Sequence, residues 1–176
     1  MKLTLRIVSI ILVVLCTCVA RGAGASDLQI KAAYLYNFAK FIEWPSECGA
    51  DLDAPFVIGI RASEKFRTVL EATVRNQNLG GRPIRIRPLS SDDSVEGCQI
   101  VYVSGVSGQE LQDILDEAKS ACALTVSDQD SFANRGGMVE FVDRRSRIRF
   151  KINRNLLVQA GLAASSKLLN IAVEVY

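Results

Sequence analysis

The chain has no histidine among its 176 residues. That absence excludes a Ser-His-Asp or Cys-His catalytic arrangement. It also removes the commonest metal ligand and the ordinary general base at neutral pH. An enzyme built without histidine needs paired carboxylates, lysine chemistry or an organic cofactor, and no such constellation stands out. Phosphate-binding glycine motifs are missing too: neither G-x-G-x-x-G nor G-x-x-x-x-G-K occurs. The few cysteines follow no zinc-ligand spacing. There is no internal repeat, linker or low-complexity tract. The reading is a protein with no cofactor, no metal and no catalytic residue.

Strong charge is lacking as well. Lys2, Arg6 and Arg21 of the 21 basic residues lie in the first 25 positions, which hold none of the 19 acids. The remainder is close to neutral with a slight acidic excess. It therefore has no electrostatic footprint for nucleic acid and no polybasic anchor for anionic lipid.

Those first 25 residues read as a secretory leader: Lys2 and Arg6 give a positive start, Ile7 to Ala20 an apolar run too short for a good membrane span, and Ala23-Gly24-Ala25 a small-residue cleavage site. The expectation is a signal peptide over residues 1–25 and one domain over 26–176, exported to the periplasm. A lipoprotein is the rival reading, through Cys16 or Cys18, but the small residue expected before a lipidated cysteine is replaced by Leu15 and Thr17. Cys48, Cys98 and Cys122 then remain. Cys98 and Cys122 each precede an apolar strand but sit one position out of step, which turns their side chains to opposite sheet faces. The expected bridge is Cys48–Cys98, with no bridge as the alternative.

What the chain does have is aromatic residues concentrated in one segment. Tyr34, Tyr36, Phe38, Phe41 and Trp44 fall within eleven positions of a helical pattern that starts at Asp27 and stops before Pro45. Ser26 and Gln29 form a capping box for it. The apolar face is wider than one core-facing stripe requires, so Tyr36, Phe41 and Trp44 are candidates for contact with a partner. Beyond it, apolar strands (Phe56 to Ile60, Ile100 to Val103, Leu124 to Ser127) alternate with helical segments after Ser63 and Ser107, where Ser107 and Glu110 read as a second capping box. Ile84 to Arg87 alternates like an edge strand. Met138 to Val142 and Arg147 to Ile152 read as a hairpin around Asp143-Arg144-Arg145-Ser146, Asn153 caps a helix ending at Gly161, and Ser165 starts a last helix. The predicted fold class is α/β: a mainly parallel sheet flanked by helices on both faces, with a C-terminal antiparallel hairpin. Ligands in such sheets sit beyond the carboxyl ends of the strands, where Arg61, Ser104, Ser127 and Asp128 form a candidate rim. Arg144, Arg145, Arg147 and Arg149 read as a solvated edge that discourages sheet-to-sheet pairing.

Taken in order, Lys31-Ala-Ala-Tyr-Leu-Tyr-Asn-Phe-Ala-Lys-Phe-Ile-Glu-Trp-Pro45, Cys98-Gln-Ile-Val-Tyr-Val-Ser104, Leu124-Thr-Val-Ser-Asp128, Gly136-Gly-Met138, Arg149-Phe-Lys-Ile-Asn153, Ala160-Gly-Leu162 and Ser165-Ser-Lys-Leu-Leu169 resemble the YfiR family of periplasmic proteins. The resemblance covers roughly Asp27 to Ala172. It implies a non-enzymatic regulator that docks on an inner-membrane signalling protein, a diguanylate cyclase or sensor kinase, restraining cyclic di-GMP synthesis and biofilm formation. It also implies an outer-membrane lipoprotein that relieves the restraint, and a homodimer. The cysteine pattern departs from the family type, which carries a cysteine in the first strand and a pair late in the chain. Here Val57 and Ile58 occupy the strand, nothing follows Cys122, and only Cys98 matches. The alternative reading is a periplasmic small-ligand receptor or sensor domain.

Overall fold

Ser26 begins the ordered helix as its sequence requires: its hydroxyl accepts from the Gln29 N–H while the Gln29 side chain accepts from the Ser26 N–H, a complete capping box. The computed structural model describes residues 26–45, 48 and 54–176. The leader, its cleavage site and Cys16 and Cys18 lie outside the described residues. Helix α1 (Asp27–Phe41) buries Ala32, Leu35, Phe38 and Ala39. It ends three residues before the predicted Trp44. Ile42 leaves helical geometry at ψ 141° and, with Glu43, forms a short strand β1 (Ile42–Glu43). Its partner is β9 (Ala163–Ala164), 122 positions later for the Ile42–Ala164 pair. A β-branched residue that finds a ladder partner has less reason to continue a helix.

The remaining elements are β2 (Phe56–Arg61), α2 (Glu64–Val74), β3 (Asn78–Leu79), β4 (Arg82–Pro88), β5 (Ile100–Val103), α3 (Gly108–Ser120), β6 (Leu124–Ser127), β7 (Val139–Asp143), β8 (Ile148–Ile152), α4 (Arg154–Gln159), α5 (Ser166–Ile171) and β10 (Glu174–Val175). The main sheet has eight strands in the order β10-β8-β7-β6-β5-β2-β4-β3. Its centre is parallel, from β4 through β2, β5 and β6 to β7. The β7–β8 pair is the antiparallel hairpin that the sequence pattern predicts. β4 is screened on its outer side only by the two-residue β3, which fits its alternating, half-solvated pattern.

The parallel centre is buried on both faces, which is why β5 and β6 are continuously buried rather than alternating. One face packs Ile58, Ile60, Ile100, Tyr102, Leu124 and Val126 under α1 and α2. The other packs Val101, Val103, Val106, Leu111, Leu115, Ala118 and Phe132 under α3. Each such side chain, fully buried, stabilises the fold by roughly 1.5–3 kcal/mol.

Two caps separate local from distant control. Gly161 takes up φ 73° just past Ala160, the left-handed position that ends α4 as expected. Ser107 precedes α3 but makes no side-chain cap hydrogen bond. Its predicted box partner, Glu110, is instead paired with Arg61 from the neighbouring strand end. A charged partner competes successfully with a neutral backbone N–H for that carboxylate.

Candidate functional site

The carboxyl ends of β5 and β6 place Ser104 and Asp128 side by side on the rim where open α/β sheets bind ligands. Lys31 reaches across from the second turn of α1 and donates to Asp128 Oδ2 at 2.7 Å. The Ser104 and Tyr102 hydroxyls also stand near the Asp128 carboxylate and favour its charge. Burial pushes this carboxyl up, but the Lys31 and Ser104 hydrogen bonds and the Lys31 charge outweigh it and hold the group below its usual value. Tyr102 is 1% exposed, with its ring tilted against Phe66 at 4.6 Å. Burial, then the Asp128 charge, raise its phenol, so the proton stays on Tyr102. Neither group titrates near neutrality, which suits a structural clasp between α1 and the sheet rather than acid–base catalysis.

Of the predicted rim residues, Ser104 and Asp128 are brought together. Arg61 sits one strand away, its backbone carbonyl bonded to the Ser104 N–H and its guanidinium paired with Glu110. Ser127 is fully buried, and its hydroxyl accepts from the Gln129 N–H at 3.1 Å. Beside the clasp lies a groove of about 780 Å³ whose polar lining includes Asp27, Lys31, Asp128, Asp130, Asp143 and Lys151. Lys31 and Tyr102 were not among the residues singled out by sequence. Lys31 sits 97 positions before its partner, and no local pattern marks it.

The aromatic segment divides between core and surface. Tyr34 and Phe38 pack against Phe141 and Phe150, with centroids 5.0–5.9 Å apart. Tyr36, Phe41 and Trp44 are each half-buried. The Tyr36 hydroxyl donates to Gln77 on the chain after α2, and Lys40 lies over its ring at 5.1 Å. Trp44 meets Phe56 edge-on at 5.3 Å. Its indole Nε1 is buried without an acceptor among the described residues.

The cysteines correct the expected pairing. The bond is Cys48–Cys122, with Cα atoms 5.9 Å apart, and Cys98 is free and buried. The one-residue offset does separate Cys98 from Cys122: Cys98 belongs to the α3-side core, while Cys122 packs against the α1-side core. Cys48 follows α1 on that same side, so its reachable partner is Cys122 and not Cys98. Cys98 lies instead over Gly59, where an added Cβ would stand 2.6 Å from its Sγ. It accepts from Arg87 Nη2 at 2.9 Å. Burial pushes the Cys98 thiol up, and the Arg87 charge offsets only part of that.

Among the described residues no cluster of histidine, cysteine or carboxylates is placed to hold a metal, and no helix is long and apolar enough to cross a membrane. A family model described as YfiR/HmsC-like matches residues 28–173. Among curated proteins, none matches the chain. Solved structures show likeness at the level of fold. A conserved domain protein from Vibrio cholerae O1 biovar El Tor N16961 aligns with TM-score 0.54 and 11% identity, over 86% of this chain and 60% of that one. A streptococcal ABC domain solved in complex with L-Trp aligns with TM-score 0.49 and 11% identity, over 69% of this chain and 55% of its own. The chain thus spans less than two thirds of the length of either solved chain.

Proposed function

Because the chain belongs to the YfiR/HmsC-like family, we propose that it is a periplasmic regulator that binds and restrains an inner-membrane signalling protein, most simply a diguanylate cyclase. The observation that carries this reading is the family match over residues 28–173, nearly everything after the leader-like segment. The chemistry of the rim supports it: the ionised Asp128 is already engaged by Lys31, Ser104 and Tyr102, and Arg61 by Glu110. Such a set holds elements together and leaves no free nucleophile or base. Docking uses the half-buried Tyr36 and Phe41 of α1 and Trp44 just beyond β1, since interface energy concentrates in a few aromatic anchors. An outer-membrane lipoprotein and a second copy of the chain are the further partners in this scheme.

Deleting the gene tests it. Cellular cyclic di-GMP rises, biofilm increases and swimming falls, and the cloned gene reverses all three. Unchanged cyclic di-GMP after deletion refutes the cyclase assignment. A second reading, a small-ligand sensor, draws on the 780 Å³ groove beside Lys31 and Asp128. A change in melting temperature with a panel of amino acids and small carboxylates would favour it.

A further inference from the structure

The β7–β8 hairpin presents four arginines and no lysine along one groove of about 700 Å³, lined by Arg144, Arg145, Arg147, Arg149 and Val173. None of the four takes part in an ion pair among the described residues. Glu174, the acid whose carboxyl feels Arg144, is held by Lys151 at 3.2 Å. The groove thus concentrates positive charge on a nearly neutral chain.

Three features say what fits it. Arg147 and Arg149 alternate with the buried Ile148 and Phe150, so they share one strand face. Their repeat along that face is about 6.8 Å, the spacing of alternate side chains on another extended segment. Guanidinium forks bind carboxylates in a bidentate, directional way, which ammonium groups do not. The groove also runs beside an incomplete sheet edge: the ladder of β10 reaches only Lys151 and Ile152, with the Val173 N–H adding the Phe150 carbonyl. The hairpin-proximal end of β8, at Ile148 and Arg149, is therefore left for a further strand. Val173, 43% exposed, supplies an apolar margin.

We infer that this groove is the docking site for an extended acidic segment of a protein partner, with carboxylates at alternate positions and aliphatic residues between them. The segment adds to the open end of β8, its carboxylates meet Arg147 and Arg149, and its aliphatic side chains meet Val173. The inference rests on the reading of the chain as a docking regulator and names a second surface for it. Arginine with aliphatic neighbours is the composition of a protein interface, whereas a lipid surface asks only for net charge.

The test uses the chain from Ser26 onward with a short fluorescent peptide of alternating Val and Glu. Binding is expected to be saturable and salt-sensitive, and about tenfold weaker in Arg147→Glu/Arg149→Glu. A peptide with Lys for Glu is expected not to bind. If the charge-reversed pair fails to fold by circular dichroism, Arg147→Gln/Arg149→Gln decides instead. Equal affinity of wild type and variant overturns the inference, as does absence of peptide binding. Sedimentation with phosphatidylglycerol vesicles in place of peptide binding overturns it in favour of a membrane surface. Cells separate this from the broader reading. If deletion raises cyclic di-GMP, the Gln pair is expected to do the same. A deletion effect without an effect of the pair overturns the groove and leaves the regulator standing. No deletion effect with peptide binding intact overturns the cyclase reading and leaves the groove.

Discussion

Asp128 is ionised because of what surrounds it. Burial alone would raise its carboxyl, but hydrogen bonds from Lys31 and Ser104 and the Lys31 charge hold it below the usual value. A carboxyl whose folded value is depressed contributes stability above its unfolded value, about 3.9, and loses it as pH falls through the lower folded value. Thermal melts between about pH 5 and pH 2 are therefore expected to fall more steeply for the wild type than for Asp128→Asn. At neutral pH the variant is the less stable, because Lys31 loses its ionised partner. Parallel pH profiles for the two proteins would show that the clasp contributes nothing. Sequence placed Asp128 and Ser104 on the rim through the rule for strand ends. It did not show that Lys31, 97 positions earlier, closes an ion pair with Asp128 there.

At the scale of elements, the β7–β8 hairpin is legible in its strands, and the short strand that flanks it is not. Two predicted strands surround a turn, and they pair with Asp143 opposite Ile148 and Arg144 N–H bonded to the Arg147 carbonyl. The turn residues Arg145 and Ser146 both have positive φ, 55° and 59°. That is the geometry of a type I′ turn, for which Asn-Gly is the favoured pair. Arg145→Asn/Ser146→Gly is expected to raise stability by about 1 kcal/mol, read from urea melts. No gain, or a loss, would mean that the native side chains already compensate within the fold. The arginines are solvated, as their pattern predicts, while β10, which has too little pattern to announce itself, covers β8 from Phe150 to Ile152 and leaves Ile148 and Arg149 open. The capping boxes teach the same distinction. Ser26–Gln29 forms because nothing competes for either side chain. Ser107–Glu110 does not, because Arg61 takes Glu110.

Across the whole molecule, the Cys48–Cys122 bond ties the chain after α1 to the turn between α3 and β6, with 74 positions between the cysteines. In the chain-entropy account such a loop contributes about 4 kcal/mol. Cys122→Ser is expected to lower the melting temperature in air and to match the wild type in reductant. Cys98→Ser is expected to leave the difference between air and reductant intact. A redox dependence that disappears in Cys98→Ser would reassign the bond. The bond also anchors the chain just after Trp44 and Pro45, one end of the proposed docking surface, to the turn between α3 and β6.

Local chemistry determined what is present: the start of α1 from Ser26 and Gln29, the buried parallel strands from their unbroken apolar runs, the hairpin from alternation around a polar turn, and the exclusion of histidine-based chemistry from the absence of the residue. Family membership was legible for the same reason, since it rests on ordered short motifs. Tertiary structure decided which groups meet. It drew Ile42 out of α1 into a ladder with Ala164, gave Cys48 to Cys122 rather than Cys98, and sent Lys31 to Asp128 and Arg61 to Glu110. Each of these joins residues tens of positions apart. Short-range periodicity specifies which face a side chain occupies but carries no information about which distant segment is folded against that face.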